Sequence, residues 1–332
     1  MRRLLTLLTL TACAATPPAP QSPAPQSPAP QTPALQTPAL QARPAPVPAL
    51  RPADAPPMVW ADLTSRPRPS PTVESTRLEE DGTEALRGDL WMPDGPGPFP
   101  VVLMIHGGCW QKAIADHALM DWAAADLARR GYAVWNVEYR GVDEAPYPAI
   151  FADIREAADY LALLGEQLSR LDTDRTVALG HSAGGHLALW LAGSAQLPGG
   201  HPGSTGEVPP LRGVVSTGGL QDLEAAEPIT LPSCLADIKD ALTGPATPER
   251  PDPYADTSPA RLLPLGVPQV AIHADRDRIA PVALGEAWVA RAQAAGDEAR
   301  LVTVPGGHVE LIAPGTHAWE ATVAEIERLL RH

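Results

Sequence analysis

Beyond residue 70, the hydrophobic pattern changes repeatedly between strand-like and helix-like segments. Alternation of apolar and polar positions predicts an antiparallel pair of strands over residues 72–80 and 85–92, separated by the turn signal Asp81-Gly82. Short apolar runs predict further strands. The run that ends at Ile105 is continuous, which predicts a strand buried on both faces of the sheet. These strands cover residues 100–105, 133–139, 176–181, 211–215, 270–273 and 299–304.

Helical spacing of apolar residues fills the stretches between these strands. The predicted helices cover residues 119–130, 150–168, 186–192, 282–294 and 318–330. Alternation of strand and helix predicts an α/β domain with a mostly parallel central sheet and helices on both faces. Residues 193–210 and 219–264 separate such elements but are too short for a full helical cap, so we expect little or no cap and a rather open site.

The N-terminus has the pattern of an export signal. Met1-Arg2-Arg3 is basic, and Leu4 to Leu10 is an apolar run too short to span a bilayer. The run ends in Leu10-Thr11-Ala12-Cys13, which resembles a bacterial lipobox. We therefore expect a signal peptide over residues 1–12, lipidation of Cys13 and a membrane-anchored, exported protein. An ordinary secretory signal, or a cytosolic chain with an apolar start, is the alternative.

Proline, alanine and glutamine dominate the next stretch. A five-residue repeat places glutamine at 21, 26, 31, 36 and 41. Such a composition buries too little apolar surface to offset the entropy of ordering, and proline favours extended polyproline II. We predict a disordered tether over residues 13–60 and a folded domain over residues 70–332.

Charge and cysteine content narrow the possible classes. The 332-residue chain has a net charge of −14; residues 1–70 hold six arginines and two acidic residues, so residues 71–332 have a net charge of −18. An acidic domain of this kind is a poor nucleic-acid binder. Cys109 and Cys234 have no metal-ligand spacing, and the sequence leaves open whether they pair. It also leaves the oligomeric state open.

One glycine-serine motif stands at a predicted strand-to-helix junction. Gly180-His181-Ser182-Ala183-Gly184 has the Gly-x-Ser-x-Gly pattern of a nucleophile elbow, which lifts a serine clear of the sheet. The helix after it presents free N–H groups to Ser182, where they favour negative charge. A plain glycine-serine turn without chemistry is the alternative interpretation.

Three further stretches follow predicted strands. His106-Gly107-Gly108-Cys109-Trp110 can supply backbone N–H groups from Gly107, Gly108 or Cys109, which with Ala183 would form an oxyanion hole. Histidine 106 itself is expected to be structural, and Trp110 to form either a pocket wall or plain packing.

The other two stretches supply an acid and a base. Asp277 is the preferred acid, with Asp275 as a competitor that we expect to brace its loop, and Asp222 as a third candidate. His308 lies in a glycine loop after the last strand, with His317 as the fallback. The order Ser182, Asp277, His308 is the one expected for this architecture.

Taken together, these motifs resemble the α/β-hydrolase superfamily from about residue 71 to the end. The match is to the branch with His-Gly-Gly-x-Trp loops, which includes esterases, lipases and kynurenine-formamidase-like enzymes. Asp277 fits the pattern His-Gly-x-x-Asp-x-x-Val-Pro, with Ala274 and Ala280 replacing two of its residues. The resemblance implies a Ser-Asp-His triad and an acyl-enzyme intermediate without metal or organic cofactor.

We therefore expect a serine hydrolase that cleaves a small-molecule carboxylic ester. An arylformamidase-like amidase and a prolyl-oligopeptidase-like peptidase are alternatives with the same triad, although no propeller domain is present in the sequence. A catalytically silent, lipid-tethered binding protein is the alternative from another class. The motifs do not specify the natural substrate.

Overall fold

Eight strands form one mixed sheet within the part of the chain that this computed structural model describes, residues 50–78, 84–198, 201 and 208–331. The strands are β1 (Val73–Leu78), β2 (Glu84–Trp91), β3 (Phe99–Ile105), β4 (Ala133–Val137), β5 (Leu171–His181), β6 (Leu211–Thr217), β7 (Gln269–Ala274) and β8 (Ala299–Val304). Their order is β1-β2-β4-β3-β5-β6-β7-β8. The β1–β2 and β2–β4 pairs are antiparallel, and all other neighbours are parallel.

Helices cover both faces of this sheet. They are α1 (Trp60–Thr64), α2 (Asp121–Arg129), α3 (Ala149–Gln167), α4 (Ala183–Gly193), α5 (Leu223–Ala226), α6 (Lys239–Thr243), α7 (Val282–Ala294) and α8 (His317–Leu330). One hydrophobic cluster joins the sheet to α3, α4 and α7. A second cluster joins its other face to α2 and α8. The predicted mostly parallel sheet with helices on both faces is confirmed.

The central strands form where the sequence has continuous apolar runs. Residues 101–105 of β3 are fully buried, and β3 pairs with both β4 and β5. Strand β5 begins five residues earlier than predicted, because Leu171 and Asp172 pair with Phe99 and Pro100 of β3 before an irregularity in the register. The Asp81-Gly82 turn lies outside the described residues.

The N-terminal part of the folded chain begins earlier than the sequence indicates. We name residues 58–68 the strap. It contains α1, and its Met58 and Leu63 are buried in the cluster of α2 and α8. The folded domain therefore begins before residue 70, and it includes the last residues that were predicted to belong to the tether. The predicted signal peptide, and the predicted tether up to residue 49, lie outside the described residues.

The segment between β6 and β7 carries only the short helices α5 and α6 and two 3₁₀ turns. This agrees with the expected absence of a large cap, as far as the described residues extend; most of residues 199–207 lie outside them. In the described part of the chain, no helix combines the length and hydrophobicity needed to cross a bilayer.

Candidate active site

Ser182 lies at a sharp turn between β5 and α4. Its backbone has φ 55° and ψ −121°, a left-handed conformation that is strained for a residue with a side chain. Glycines at 180 and 184 permit this turn. A Cβ atom at Gly180 would lie 2.0 Å from the carbonyl oxygen of Gly184, and one at Gly184 would lie 2.1 Å from that of Ile105. The glycine-serine motif thus forms the tight elbow that its spacing predicts.

His308 and Asp277 form a buried pair at the ends of β8 and β7. The Nδ1 atom of His308 lies 2.6 Å from Oδ2 of Asp277. The other carboxylate oxygen accepts the backbone N–H groups of Ile279 and Ala280, at 2.8 and 3.0 Å. Burial alone raises the pKa of Asp277, but the His308 charge and these hydrogen bonds outweigh it and lower that pKa. Asp277 is therefore held as a carboxylate that orients the imidazole.

The competing candidates have structural positions instead. Asp275 accepts the backbone N–H of Gly306 at 3.0 Å, which braces the loop before His308. Asp222 caps α5 and pairs with Arg291. His317 is the first residue of α8. Of the three acids, the structure brings Asp277 to His308.

The loop after β3 lies against the elbow. A Cβ atom at Gly107 would lie 2.9 Å from the Cβ of Ser182, so the backbone there packs directly on the serine. Gly108 and Cys109 both have positive φ and line the same cavity as Ser182. Ala183 begins α4, and the first N–H groups of a helix have no intrahelical acceptor. The residues predicted for the oxyanion hole are thus together beside Ser182.

A disulfide answers the question that the sequence left open. Cys109 and Cys234 are joined, with an S–S distance of 2.10 Å and Cα atoms 4.7 Å apart. The Gln111 side chain adds a hydrogen bond to the Ser233 carbonyl at 2.9 Å. The loop after β3 is therefore tied to the segment between β6 and β7.

The aromatic neighbours of this loop are structural. His106 stacks on Tyr139 with ring centroids 4.1 Å apart, and its Nε2 lies 3.1 Å from Glu138. Trp110 is fully buried and donates its indole N–H to Nδ1 of His186 at 3.2 Å. Trp110 is therefore a core residue and not a pocket wall.

A buried charge cluster, formed by Asp89, His117 and Glu138, lies beside the loop, and the partly exposed Lys112 joins it from the surface. His117 places Nδ1 2.8 Å from Glu138 and Nε2 3.0 Å from Asp89. Lys112 approaches the same Glu138 oxygen at 2.7 Å. Glu138 also contacts His106, the first residue of the loop after β3. The cluster therefore helps to hold the start of that loop in place. Nothing in the sequence indicated it, because its members are distant along the chain.

A cavity of about 260 Å³ opens beside Ser182. Around Ser182 it is lined by His308, His181, Gly108 and Cys109, and the other lining residues are Trp60, Thr64, Ile114, Ala115, Leu119 and Ile279. None of these lining residues is a lysine, an arginine or a carboxylate. The cavity therefore suits an uncharged, largely apolar group.

Sequence reasoning missed His181, the residue before the serine. Its Nε2 atom lies 3.1 Å from the backbone carbonyl of His308, and the two imidazole rings are 4.5 Å apart. Burial lowers the pKa of His181 to about 3, so its ring is neutral. Because a carbonyl only accepts, Nε2 must carry the hydrogen, and His181 holds the backbone of the His308 loop.

The strap was missed as well, although it forms one side of the cavity through Trp60 and Thr64. The available signal was the apolar group Met58, Val59, Trp60 and Leu63 after the proline-rich stretch. Among the described residues, no group of three or more histidine, cysteine, aspartate or glutamate residues is placed to hold a metal ion.

Comparison with known proteins places the chain in one family. A family model described as BD-FAE matches residues 89–290, which is more than half of the chain. Bacterial heroin esterase is a similar solved structure, at 25% identity and a TM-score of 0.61, covering 78% of this chain and 83% of that one.

Curated relatives match shorter stretches. Esterase LipI of Mycobacterium tuberculosis (strain ATCC 25618 / H37Rv) is 31% identical over 149 residues, which is 40% of this chain and 42% of LipI. The non-reducing polyketide synthase Preu6 of Preussia isomera is 29% identical over 150 residues, which is 43% of this chain and 6% of the synthase. The chain thus spans less than half of either relative. The matched family model and the fold of the solved relative confirm the resemblance: this chain belongs to the BD-FAE family of α/β-hydrolases.

Proposed function

We propose that the protein is a serine carboxylesterase in which Ser182, His308 and Asp277 form the catalytic triad. The observation that carries this proposal is the buried 2.6 Å contact of His308 with Asp277 at the cavity that Ser182 lines from its strained elbow. Because Nδ1 of His308 is bound to Asp277, Nε2 is the ring nitrogen that is left to act as the general base. The esterases among its relatives support the same reaction class.

The proposed reaction has two steps. Nε2 of His308 takes the proton of the Ser182 hydroxyl as Oγ attacks the ester carbonyl carbon, and the oxyanion faces Gly108, Cys109 and Ala183. The bond to the alcohol oxygen then breaks, and Nε2 returns the proton to the leaving alcohol. In the second step His308 activates a water that cleaves the acyl-enzyme.

Hydrolysis of p-nitrophenyl acetate, butyrate and octanoate, beside an N-formyl aryl amide, tests this proposal. The full chain should turn over the esters, and Ser182→Ala should lower kcat by a factor on the order of 10⁴–10⁶. Wild-type turnover in the Ser182→Ala protein would overturn the triad. Turnover of the amide in preference to every ester would favour the arylformamidase-like alternative.

We also propose that the enzyme is an exported lipoprotein anchored through Cys13, a residue outside the described part of the chain. The Cys109–Cys234 disulfide supports export, because such bonds persist in oxidising compartments. Cys13→Ala should abolish labelling by a palmitate analogue and release the protein from membranes. Labelling that persists in this variant would contradict the anchor.

A further inference from the structure

The strap is fixed to the domain at both of its ends. At its start, the backbone N–H of Met58 donates to Oε1 of Glu310 at 2.7 Å. At its end, the Trp122 indole donates to the Pro67 carbonyl at 3.1 Å, and Arg68 pairs with the buried Asp121. Between these points the side chain of Leu63 is fully buried. The strap is therefore an ordered wall of the cavity.

Glu310 links this wall to the loop of the proposed base. Its second carboxylate oxygen accepts the backbone N–H of Gly307 at 3.0 Å, one residue before His308. A single buried carboxylate thus positions Met58 and Gly307 together. Trp60 is consequently held at a defined distance from His308.

Trp60 lies at the mouth of the cavity on the His308 side. Its ring centroid is 6.2 Å from that of His308 and 6.2 Å from that of His181, with interplanar angles of 86° and 80°. The side chain is 38% exposed, so it faces both the cavity and solvent. Thr64 lies one helical turn further along the same side of α1 and also lines the cavity.

The proposed reaction determines which part of an ester meets Trp60. The departing oxygen must lie within hydrogen-bond reach of Nε2 of His308 to receive its proton. The oxyanion must point the other way, towards Gly108 and Cys109. The alcohol portion is therefore the part that leaves past His308 and Trp60.

We infer that Trp60 is a specificity-determining residue, and that with Thr64 it forms a subsite for the alcohol portion of the ester. This inference rests on the proposed function. An indole edge beside an uncharged cavity favours a planar, apolar alcohol, since aromatic contacts add to the gain from burying apolar area. A charged alcohol would lose its hydration there without gaining an ionic partner.

Two substrate pairs separate this subsite from a general effect on activity. The first pair, 2-naphthyl butyrate and methyl butyrate, varies the alcohol, and the second, p-nitrophenyl butyrate and p-nitrophenyl acetate, varies the acyl group. Trp60→Ala in the full chain should lower the naphthyl-to-methyl ratio of kcat/KM about tenfold, because an apolar subsite is being removed. Trp60→Phe should restore much of that ratio. Intrinsic leaving-group reactivity cancels when each variant is divided by wild type.

Val59→Ala is the matched control, because Val59 is the neighbouring strap residue and is 61% exposed. It should leave both ratios unchanged, and Trp60→Ala should leave the butyrate-to-acetate ratio unchanged. An unaltered alcohol ratio in an active Trp60→Ala protein would overturn the subsite alone, as would a shift confined to the acyl ratio. A wild-type protein inactive on all four esters would overturn the proposed function and the subsite with it.

Discussion

The charge of His117 gives the sharpest test of how the site is supported. Both of its ring nitrogens face carboxylate oxygens, Nδ1 towards Glu138 and Nε2 towards Asp89. Ionised carboxylates only accept hydrogen bonds, so both nitrogens must carry hydrogen and the ring must be an imidazolium. Burial alone lowers the pKa of His117, but the bonds to Asp89 and Glu138 outweigh it and raise the pKa to about 9.

The sign and size of the effect follow from that pKa. A group whose pKa is higher in the folded than in the unfolded state binds protons more tightly when folded, so it stabilises the fold most at low pH. The difference between an ordinary 6.5 and about 9 corresponds to about 3 kcal/mol of unfolding free energy. This stabilisation is fully present below pH 6.5, declines as the pH rises, and is lost above about 9.

Urea unfolding monitored by tryptophan fluorescence at about pH 6 and about pH 9.5 measures this contribution. His117→Gln should be less stable than wild type at the lower pH, and the gap should shrink by about 3 kcal/mol at the higher pH. His186→Gln is the control, because burial lowers the pKa of His186 to about 4 and its ring stays neutral throughout. That variant loses its bond with Trp110, and its gap from wild type should widen slightly, by about 1 kcal/mol, at the higher pH. The sign is opposite to that of His117, because at about pH 6 the His186 ring is protonated mainly in the unfolded chain.

A constant gap between His117→Gln and wild type across this range would refute the reasoning. It would mean that His117 does not titrate between the two pH values, and that the buried charge cluster has another charge distribution. A shrinking gap in the His186→Gln control would instead show that the pH effect is not specific to His117.

Three further predictions concern the site and its supports. Asp277→Asn should lower kcat for p-nitrophenyl butyrate by a factor on the order of 10⁴, because the imidazole of His308 loses its orientation. Asp275→Asn can still accept the Gly306 N–H, so its kcat should stay near that of wild type. Equal losses of kcat in the two variants would contradict the assignment of Asp277 as the acid. Glu310→Gln should lower the unfolding free energy by about 1–3 kcal/mol, since an amide has one acceptor oxygen for two buried donors, and an unchanged urea midpoint would refute that role. Cys234→Ser should cost about 2–5 kcal/mol in the same assay, because it opens a closure between positions 125 residues apart; stability equal to the oxidised wild type would rule out a stabilising disulfide.

Much of the fold could be predicted because its central strands have a distinctive pattern. Residues 101–105 are apolar throughout and are buried on both faces of the sheet, so a continuous run was sufficient to place β3. Predicted strand bounds differ from the observed ones mainly in β5. Its first residues, Leu171 and Asp172, precede the apolar run and belong to the strand because they pair with Phe99 and Pro100 of β3.

The positions of the candidate site residues could be predicted where their motifs are local in the sequence. Ser182, the glycines beside it and His308 lie in short motifs at strand ends, and Asp277 follows β7 at a fixed spacing. The buried charge cluster depends on contacts between residues 21 to 28 positions apart, which no local pattern indicates. Trp60 was missed for a different reason: composition assigned its segment to the tether, whereas its order comes from Glu310, 252 positions after Met58.

The early start of the folded chain has a practical consequence for producing the protein. A shortened gene beginning at residue 70 would look safe by composition and would keep every residue of the proposed triad and both cysteines of the disulfide. It would delete Met58, Trp60, Leu63 and Thr64, opening one side of the cavity and uncovering the surface on which Leu63 is buried. Substrate profiles measured on such a fragment would describe a different pocket, so expression should begin before residue 50.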